Sequence, residues 1–354
     1  MGWLTVTMRH PIVEEDLATI TQFDLPWQEF EGKTVLISGA NGFLPAYMVE
    51  TLLYLNETRR WRATQVIGLV RNRNKAQARF AAYRDRTDLQ LIVQDVNDPI
   101  AITTPLDYII HAASQASPRY FGLDPIGTLT ANVLGTYHLL QLAQERQVKG
   151  FLFFSTSEVY GQVDQVPINE TAYGYLDPAN VRACYAESKR MGETMCVAYA
   201  HQQHVPATIV RPFHTYGPGM SLDDGRVFAD FVADIVNNRD IVMKSDGGAT
   251  RSFCYLADAV TGFFTVLLRG EAGQAYNVGN DQGELSILEL ANMLVALFLD
   301  KGLQVIRDEQ AVATGYLRSN VTRHRPDISK VKQLGWQPTT PPATGFARTI
   351  RSFA

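Results

Sequence analysis

Thr156, Tyr185 and Lys189 are the residues of this chain whose types and spacing suit chemistry on an alcohol. Tyr185-Ala-Glu-Ser-Lys189 sets a phenol and an ammonium at i and i+4, on one face of a helix. An ammonium beside a phenol favours the phenolate and draws its pKa down from about 10. A phenolate takes the proton of a hydroxyl as a hydride leaves the same carbon. Thr156 belongs to Ser155-Thr156-Ser157-Glu158, which follows the apolar run Phe151-Leu-Phe-Phe154, so its hydroxyl can hold the reacting oxygen. Glu158 adds a carboxylate to the same cleft, where burial is expected to raise its pKa into the range of a general base.

A departing hydride needs an acceptor, and the chain offers a site for one. Thr34-Val-Leu-Ile-Ser38 reads as a buried strand, and Gly39-Ala-Asn41-Gly42-Phe43-Leu44-Pro45 as a glycine turn opening a helix. Such a turn lets the backbone approach a pyrophosphate at a helix N-terminus. Pro45 stands where a small residue would let the helix pack close; proline is tolerated in a first turn, so an adjusted helix start is expected. Asp95-Val96, after a third strand, is expected beside an adenine ring. The second strand ends in Leu69-Val70-Arg71-Asn72 without the acid that would bond a ribose diol. The cofactor is therefore expected to be NAD or NADP, with Arg71 favouring NADP.

These residues need a scaffold. Apolar runs at Thr34–Ser38, Gln65–Val70, Leu89–Val93, Asp107–Ile110, Phe151–Phe154 and Ala207–Val210 alternate with amphipathic stretches. That pattern predicts an α/β fold, a Rossmann-type doubly wound parallel sheet, with a smaller mixed α/β substrate-binding region. Helices are expected near Glu14–Thr21, from the glycine turn to Leu55, from Lys75, over Pro125–Glu145 and from Tyr185 to His201. The division expected is an N-terminal extension (1–32), a dinucleotide-binding domain with the catalytic residues (33–211), and a mainly substrate-binding region (212–354) that draws in parts of 160–182.

With 354 residues, 46% of them hydrophobic, the chain can bury a sizeable core. Its formal net charge of −4 argues against nucleic acid or an anionic membrane as partner. Cys184, Cys196 and Cys254 lie far apart and read as reduced thiols. His201 and His204 have no carboxylate neighbour, so no metal site is expected. No apolar run approaches the roughly 18 residues of a membrane span. Glu14, Glu15 and Asp16 break the order of a signal peptide, so a cytoplasmic protein is expected.

Together these motifs resemble the extended short-chain dehydrogenase/reductase family, which holds nucleotide-sugar epimerases, dehydratases and decarboxylases. The match runs from about Lys33 to Pro338. It includes the glycine turn, His111-Ala112-Ala113-Ser114, Asn132, and Thr156 with Tyr185 and Lys189. It continues through Arg211-Pro212-Phe-His214-Thr-Tyr216-Gly217-Pro218 and Thr250-Arg251-Ser-Phe-Cys-Tyr255. The resemblance implies oxidation at C4 of a nucleotide-linked hexose by a tightly bound, recycled nicotinamide cofactor. The new ketone then acidifies C5 or makes an attached carboxylate a leaving group. Cofactor contacts are implied for Gly39, Asn41, Gly42, Phe43, Leu44, Asp95, Val96, His111, Ala112, Ala113, Ser114, Asn132, Ser155, Tyr185, Lys189 and Pro212. Substrate contacts are implied for Ser117, His214, Arg226, Arg251, His324 and Arg325, with Arg226 and Arg251 on the nucleotide and diphosphate. Relatives commonly form dimers through two helices, here those of 125–145 and 185–201, so a homodimer is expected.

Within the family, Thr156-Ser157-Glu158 resembles both UDP-glucuronate decarboxylases and GDP-mannose 4,6-dehydratases. Ser114–Pro118, Asp224–Val227 and Tyr185–Cys196 lean towards the decarboxylases. His324, between Arg323 and Arg325, stands where those enzymes carry an arginine towards the sugar carboxylate. A histidine holds a carboxylate only when protonated, which favours a neutral hexose. His214 likewise replaces an asparagine. A 4-epimerase or ketosugar reductase is the alternative within the family. A non-catalytic dinucleotide sensor or scaffold is the alternative outside it, and the intact Thr156, Tyr185 and Lys189 argue against that.

Overall fold

The computed structural model describes residues 9–307 and 323–354. From Pro11 to Pro212 strands and helices alternate: α1 (Pro11–Gln22), β1 (Thr34–Ser38), α2 (Phe43–Thr58), β2 (Gln65–Val70), α3 (Arg73–Arg79), β3 (Leu89–Val93) and β4 (Tyr108–His111), then α4 (Pro118–Leu123), α5 (Pro125–Arg146), β5 (Gly150–Phe154), α6 (Ala183–Gln203) and β6 (Ala207–Pro212). The remainder comprises β7 (His214–Tyr216), α7 (Val227–Val236), β8 (Ile241–Met243), β9 (Thr250–Tyr255), α8 (Leu256–Arg269), β10 (Ala275–Val278), β11 (Glu284–Ser286), α9 (Ile287–Leu297), β12 (Val305–Arg307), β13 (Arg323–His324), α10 (Ser329–Lys332) and α11 (Pro342–Arg351).

The main sheet is parallel throughout, in the order β10-β6-β5-β4-β1-β2-β3. Its central strands are apolar on both faces because helices cover both. Val35 and Ile37 of β1 meet the layer containing α1, α2 and α8, whereas Leu36 meets the layer of α5 and α6. The strand order reverses between β1 and β4, and the crevice at their carboxyl ends is where such sheets take ligands.

The sequence pattern gives six strands; the sheet has a seventh, β10, contributed from beyond Pro212. Its Ala-Tyr-Asn-Val lacks an apolar signature because Asn277 is buried through hydrogen bonds. Its Nδ2 donates to the carbonyls of Ile168 and Asp327 at 2.9 Å each, and its Oδ1 accepts from the Tyr160 hydroxyl at 2.5 Å. A smaller sheet is built on β9, which pairs with β11 antiparallel and with β7 and β13 parallel.

The N-terminal helix α1 runs longer than its apolar pattern suggested. Leu17 and Ile20 are fully buried in the core shared with α2 and α8. Asp16 is buried beside them and accepts from Tyr47 Oη (3.1 Å), Tyr255 Oη (2.8 Å) and Arg348 Nη2 (2.8 Å). Among the described residues no helix is long and apolar enough to cross a membrane.

Candidate active site

β5 delivers the chain to a 3-10 turn, Ser157–Tyr160, capped by Thr156, whose Oγ1 accepts the Glu158 N–H at 3.2 Å. The Thr156 side chain faces the Tyr185 phenol in the same cleft and favours its ionised form. Helix α6 presents Tyr185 and Lys189 one turn apart, both buried, as their spacing predicts. The Tyr185 ring is stacked on Phe121, with centroids 4.8 Å apart. Lys189 Nζ donates to the Phe154 carbonyl at 2.5 Å and lies 6.0 Å from the centre of the Tyr185 ring. All of these groups except Phe121 line one cleft of about 690 Å³.

The expected pull of the ammonium on the phenol is outweighed by burial. Burial pushes Tyr185 up to about 12; the Glu158 carboxylate adds to this, and the Thr156 hydroxyl and Arg226 oppose it. Burial also pushes Lys189 down to about 7, against the Glu193 carboxylate. Inside the fold both charged forms go without the hydration that water would give them, and that loss is the largest cause of each shift. Glu158 departs from expectation as well. Its side chain is 33% exposed rather than buried, and its carboxylate pairs with Arg182 Nη1 at 3.1 Å.

The dinucleotide end of the cleft is built where the strand order reverses. Gly39 ends β1 at φ +66°, and a Cβ there would sit 2.7 Å from the Ala113 Cα. Ser38 Oγ accepts the N–H groups of Ala112 and Ala113 at 3.2 Å each. It therefore gives its own proton to His111 Nδ1 (2.8 Å), and His111 Nε2 donates to Thr136 Oγ1 (3.1 Å). His111 is fully buried, and burial pushes it well below the usual range, so it serves here as a neutral link between β1, β4 and α5. Asn132 on α5 donates to Ser188 Oγ at 2.9 Å, tying α5 to the catalytic stretch of α6.

Of the cofactor candidates, Gly42, Phe43, Leu44, Ala112, Ser114, Ser155, Tyr185, Lys189 and Pro212 line the cleft. Gly39, Asn41, His111, Ala113 and Asn132 stand behind that lining, at the ends of β1 and β4 and on α5. Asp95 and Val96 follow β3, where Asp95 Oδ1 accepts the Asn97 N–H at 3.0 Å and Val96 is buried against Gly135 of α5. Arg71 is exposed beyond β2.

A dinucleotide fits this framework. α2 begins at the cleft with no side-chain cap and no acid in its first turn, leaving its N–H groups for an anion. Pro45 is its third residue, where a missing N–H costs no helical hydrogen bond. Ser114 Oγ and Asn132 Oδ1 are buried without a hydrogen-bond partner. They are polar atoms that a bound cofactor would satisfy.

At the other end, β7 and β13 both pair with β9 and bring His214 and His324 together, their rings 5.5 Å apart. Burial, then Arg251, pushes His324 down to about 4, and the Ser157 backbone works in the opposite direction. His214 is held well below the usual range by burial, then by His324 and Arg251. Both rings are uncharged near neutral pH. Arg251 and Arg226 reach the cleft, and Arg226 is fixed by Asp224 (3.3 Å) and the Ala116 carbonyl (2.9 Å). Ser117 Oγ donates to the Asp224 carbonyl at 2.6 Å, lacing the same two loops. Arg325 does not line the cleft: its Nε lies 3.8 Å from Glu284, and Arg323 grips the same carboxylate at 2.7 Å.

Three residues of this neighbourhood are absent from the sequence reading. Arg182 precedes Tyr185 by one turn, and Glu193 follows Lys189 by one turn; the helical spacing that picks out Tyr185 and Lys189 extends to both. Phe121 carries no local signal, because only tertiary packing lays it on Tyr185.

Comparison with known proteins agrees with this geometry. Residues 35–279 match the NAD dependent epimerase/dehydratase family, and the chain belongs to it. It is 33% identical to UDP-glucuronic acid decarboxylase 1 of Danio rerio over 328 residues, covering 92% of this chain and 74% of that protein. It is 34% identical to UDP-glucuronic acid decarboxylase 2 of Arabidopsis thaliana, covering 91% of this chain and 68% of that one. Among solved structures it resembles the dTDP-glucose 4,6-dehydratase of Streptomyces venezuelae, solved with NAD bound. The TM-score is 0.74 at 25% identity, over 90% of this chain and 96% of that one. This is a nucleotide-sugar-modifying enzyme of an NAD-dependent family.

Proposed function

We propose that the enzyme oxidises C4 of a nucleotide-linked hexose and then uses the C4 ketone to activate C5. The observation that carries this reading is the gathering of Thr156, Tyr185 and Lys189 in one cleft, with an uncapped helix N-terminus at one end. Thr156 holds the sugar's O4, and Tyr185 takes its proton as the phenolate, which Lys189 and the positive nicotinamide of bound NAD would draw down from about 12. Bound NAD supplies the hydride acceptor, and its reduced form the donor that closes the cycle. Glu158, one third exposed at the cleft, takes the C5 proton once the ketone has acidified it. Arg226 and Arg251 supply charge for the diphosphate. Residues 33–211 serve the dinucleotide, and 212–354 with parts of 160–182 the sugar nucleotide.

Loss of water from a neutral hexose is the continuation that the sugar end supports. His214 and His324 are uncharged, and Arg323 and Arg325 lean on Glu284 rather than on the cleft. The second reading is decarboxylation of a sugar acid. The decarboxylase relatives favour it, and Arg182, beside Glu158, is the cation a carboxylate would meet. Mass spectrometry of protein incubated separately with dTDP-glucose, GDP-mannose and UDP-glucuronate separates the two. Loss of 18 Da supports the first and loss of 44 Da the second; no change in any tube refutes both.

Arg71, with no acid at the end of β2, favours NADP over NAD, which titration with each dinucleotide tests. A homodimer through α5 and α6 accounts for the exposed Ile126, Leu129, Leu134, Met191 and Val197, and sedimentation tests it. Three free cysteines agree with the reducing cytoplasm.

A further inference from the structure

Helix α6 carries a third ionisable residue in line with Tyr185 and Lys189: Glu193, one turn further along. Its side chain is 12% exposed and is held from two strands. Ser155 Oγ, just past β5, hydrogen-bonds Oε1. Arg211 of β6 makes a two-pronged bond, Nε to Oε1 at 2.8 Å and Nη2 to Oε2 at 2.6 Å. Arg211 is itself braced by the Glu170 carbonyl (2.9 Å) and the Tyr160 hydroxyl (3.0 Å). A carboxylate clamped this firmly has a fixed position relative to the helix that bears it.

The groups that act on Lys189 are few. Glu193 and Cys196 come from its own helix, His111 from β4, and the Tyr185 ring lies 6.0 Å away. Burial holds the Cys196 thiol and the His111 ring in their uncharged forms at neutral pH. Arg211 pairs with that carboxylate, and its charge is not among the causes that shift Lys189. Glu193 is therefore the anion that opposes the burial of Lys189.

We propose that Glu193 is a positioning residue of the reaction: clamped by Arg211 and Ser155, its carboxylate keeps Lys189 an ammonium beside Tyr185. The role rests on the assignment of Tyr185 as the group that takes the sugar's proton. A lysine whose midpoint is about 7 lies at the edge of its charged state, so one neighbouring charge decides its form. Without Glu193 the lysine is neutral at working pH, and the phenol has no cation beside it.

The test is a ¹³C NMR titration of the lysine side-chain methylenes, with Lys189 assigned through Lys189→Arg. In the wild-type protein Lys189 should titrate near pH 7. In Glu193→Gln the midpoint should fall by about one pH unit or more, as expected for removing an opposite charge close by. The pH profile of kcat should follow. Activity that needs the ammonium is lost as pH rises through the Lys189 midpoint, so the variant loses it at lower pH while its Kd for NAD holds. Because Glu193→Gln strands the Arg211 charge, Glu193→Gln/Arg211→Met is the companion variant, and its Lys189 midpoint should fall as well. A folded variant of either kind with an unmoved midpoint overturns the proposal, whatever happens to its melting temperature. If the wild type shows no turnover, the functional reading fails, and the NMR titration still decides what Glu193 does to Lys189.

Discussion

Replacing Gly39 by alanine tests the dinucleotide site at the point where the backbone leaves least room. Gly39 has φ +66°, and a Cβ built on it would lie 2.7 Å from the Ala113 Cα and 2.9 Å from the Ala113 nitrogen. The left-handed conformation costs a non-glycine residue about 1–2 kcal/mol. The overlap is with backbone, so no rotamer change relieves it, and overpacking of this kind adds about 1–3 kcal/mol. Gly39→Ala should therefore cost about 2–5 kcal/mol. The chain can absorb this as lost stability or by parting β1 from the loop after β4. In the second case, restoring the binding geometry draws on the affinity for NAD, and about 2 kcal/mol there corresponds to roughly 30-fold in Kd. Gly42→Ala is the control. Its φ of −71° suits any residue, and the nearest atoms to its Cβ would be the Gly39 carbonyl oxygen at 3.1 Å and Pro45 Cγ at 3.3 Å. Its effect on the melting temperature should be the smaller of the two; Gly42 lines the cleft, so it controls for stability alone. Thermal melts and calorimetric titration with NAD, run on both variants, measure the two outlets together. Gly39→Ala with an unchanged melting temperature and a Kd within threefold of wild type would refute the reasoning.

Tyr185→Phe should lower kcat by about 10²–10⁴-fold, the usual contribution of a positioned proton-transfer group, and leave the Kd for NAD unchanged; a fully active variant would remove Tyr185 from the chemistry. Asp16→Ala strips the acceptor from Tyr47, Tyr255 and Arg348. It should cost about 2 kcal/mol in denaturant unfolding, because it strands the buried Tyr47 and Tyr255 hydroxyls, whereas Arg348 keeps Glu15 and the Ile12 carbonyl. A loss below about 1 kcal/mol would contradict that. Arg323 holds the Glu284 carboxyl down at about 2, so the pair stabilises the fold above the ordinary carboxylate range and loses that contribution as pH falls through about 2. Since Arg323 is half exposed, the stability gap between wild type and Glu284→Gln should be only about 1 kcal/mol at pH 7, and it should close towards pH 2. A gap that persists to pH 2 would rule the pair out as its source.

Local periodicity was enough to locate much of this protein. β1 and β2 fall on the residues that their apolar runs mark, since strands covered on both faces must be continuously apolar, and the partly buried edge strand β3 falls on its run too. The facing of Tyr185 and Lys189 follows from helical geometry alone. β10 was illegible because Asn277 is buried by hydrogen bonds to segments distant in sequence. Charge state was less legible still. An i,i+4 spacing says that Lys189 and Tyr185 are neighbours, but not how much water each loses.

The amino-acid sequence by itself therefore determined six strands of the sheet, the glycine turn and the residue types available for chemistry, because these depend on contacts within one strand or one helical turn. Only the tertiary structure decided that Lys189 sits near neutrality, that Glu158 meets Arg182, and that Arg323 and Arg325 turn to Glu284. Solvation and ion pairing are set by the groups that other parts of the chain bring alongside, and a linear spacing carries no record of them.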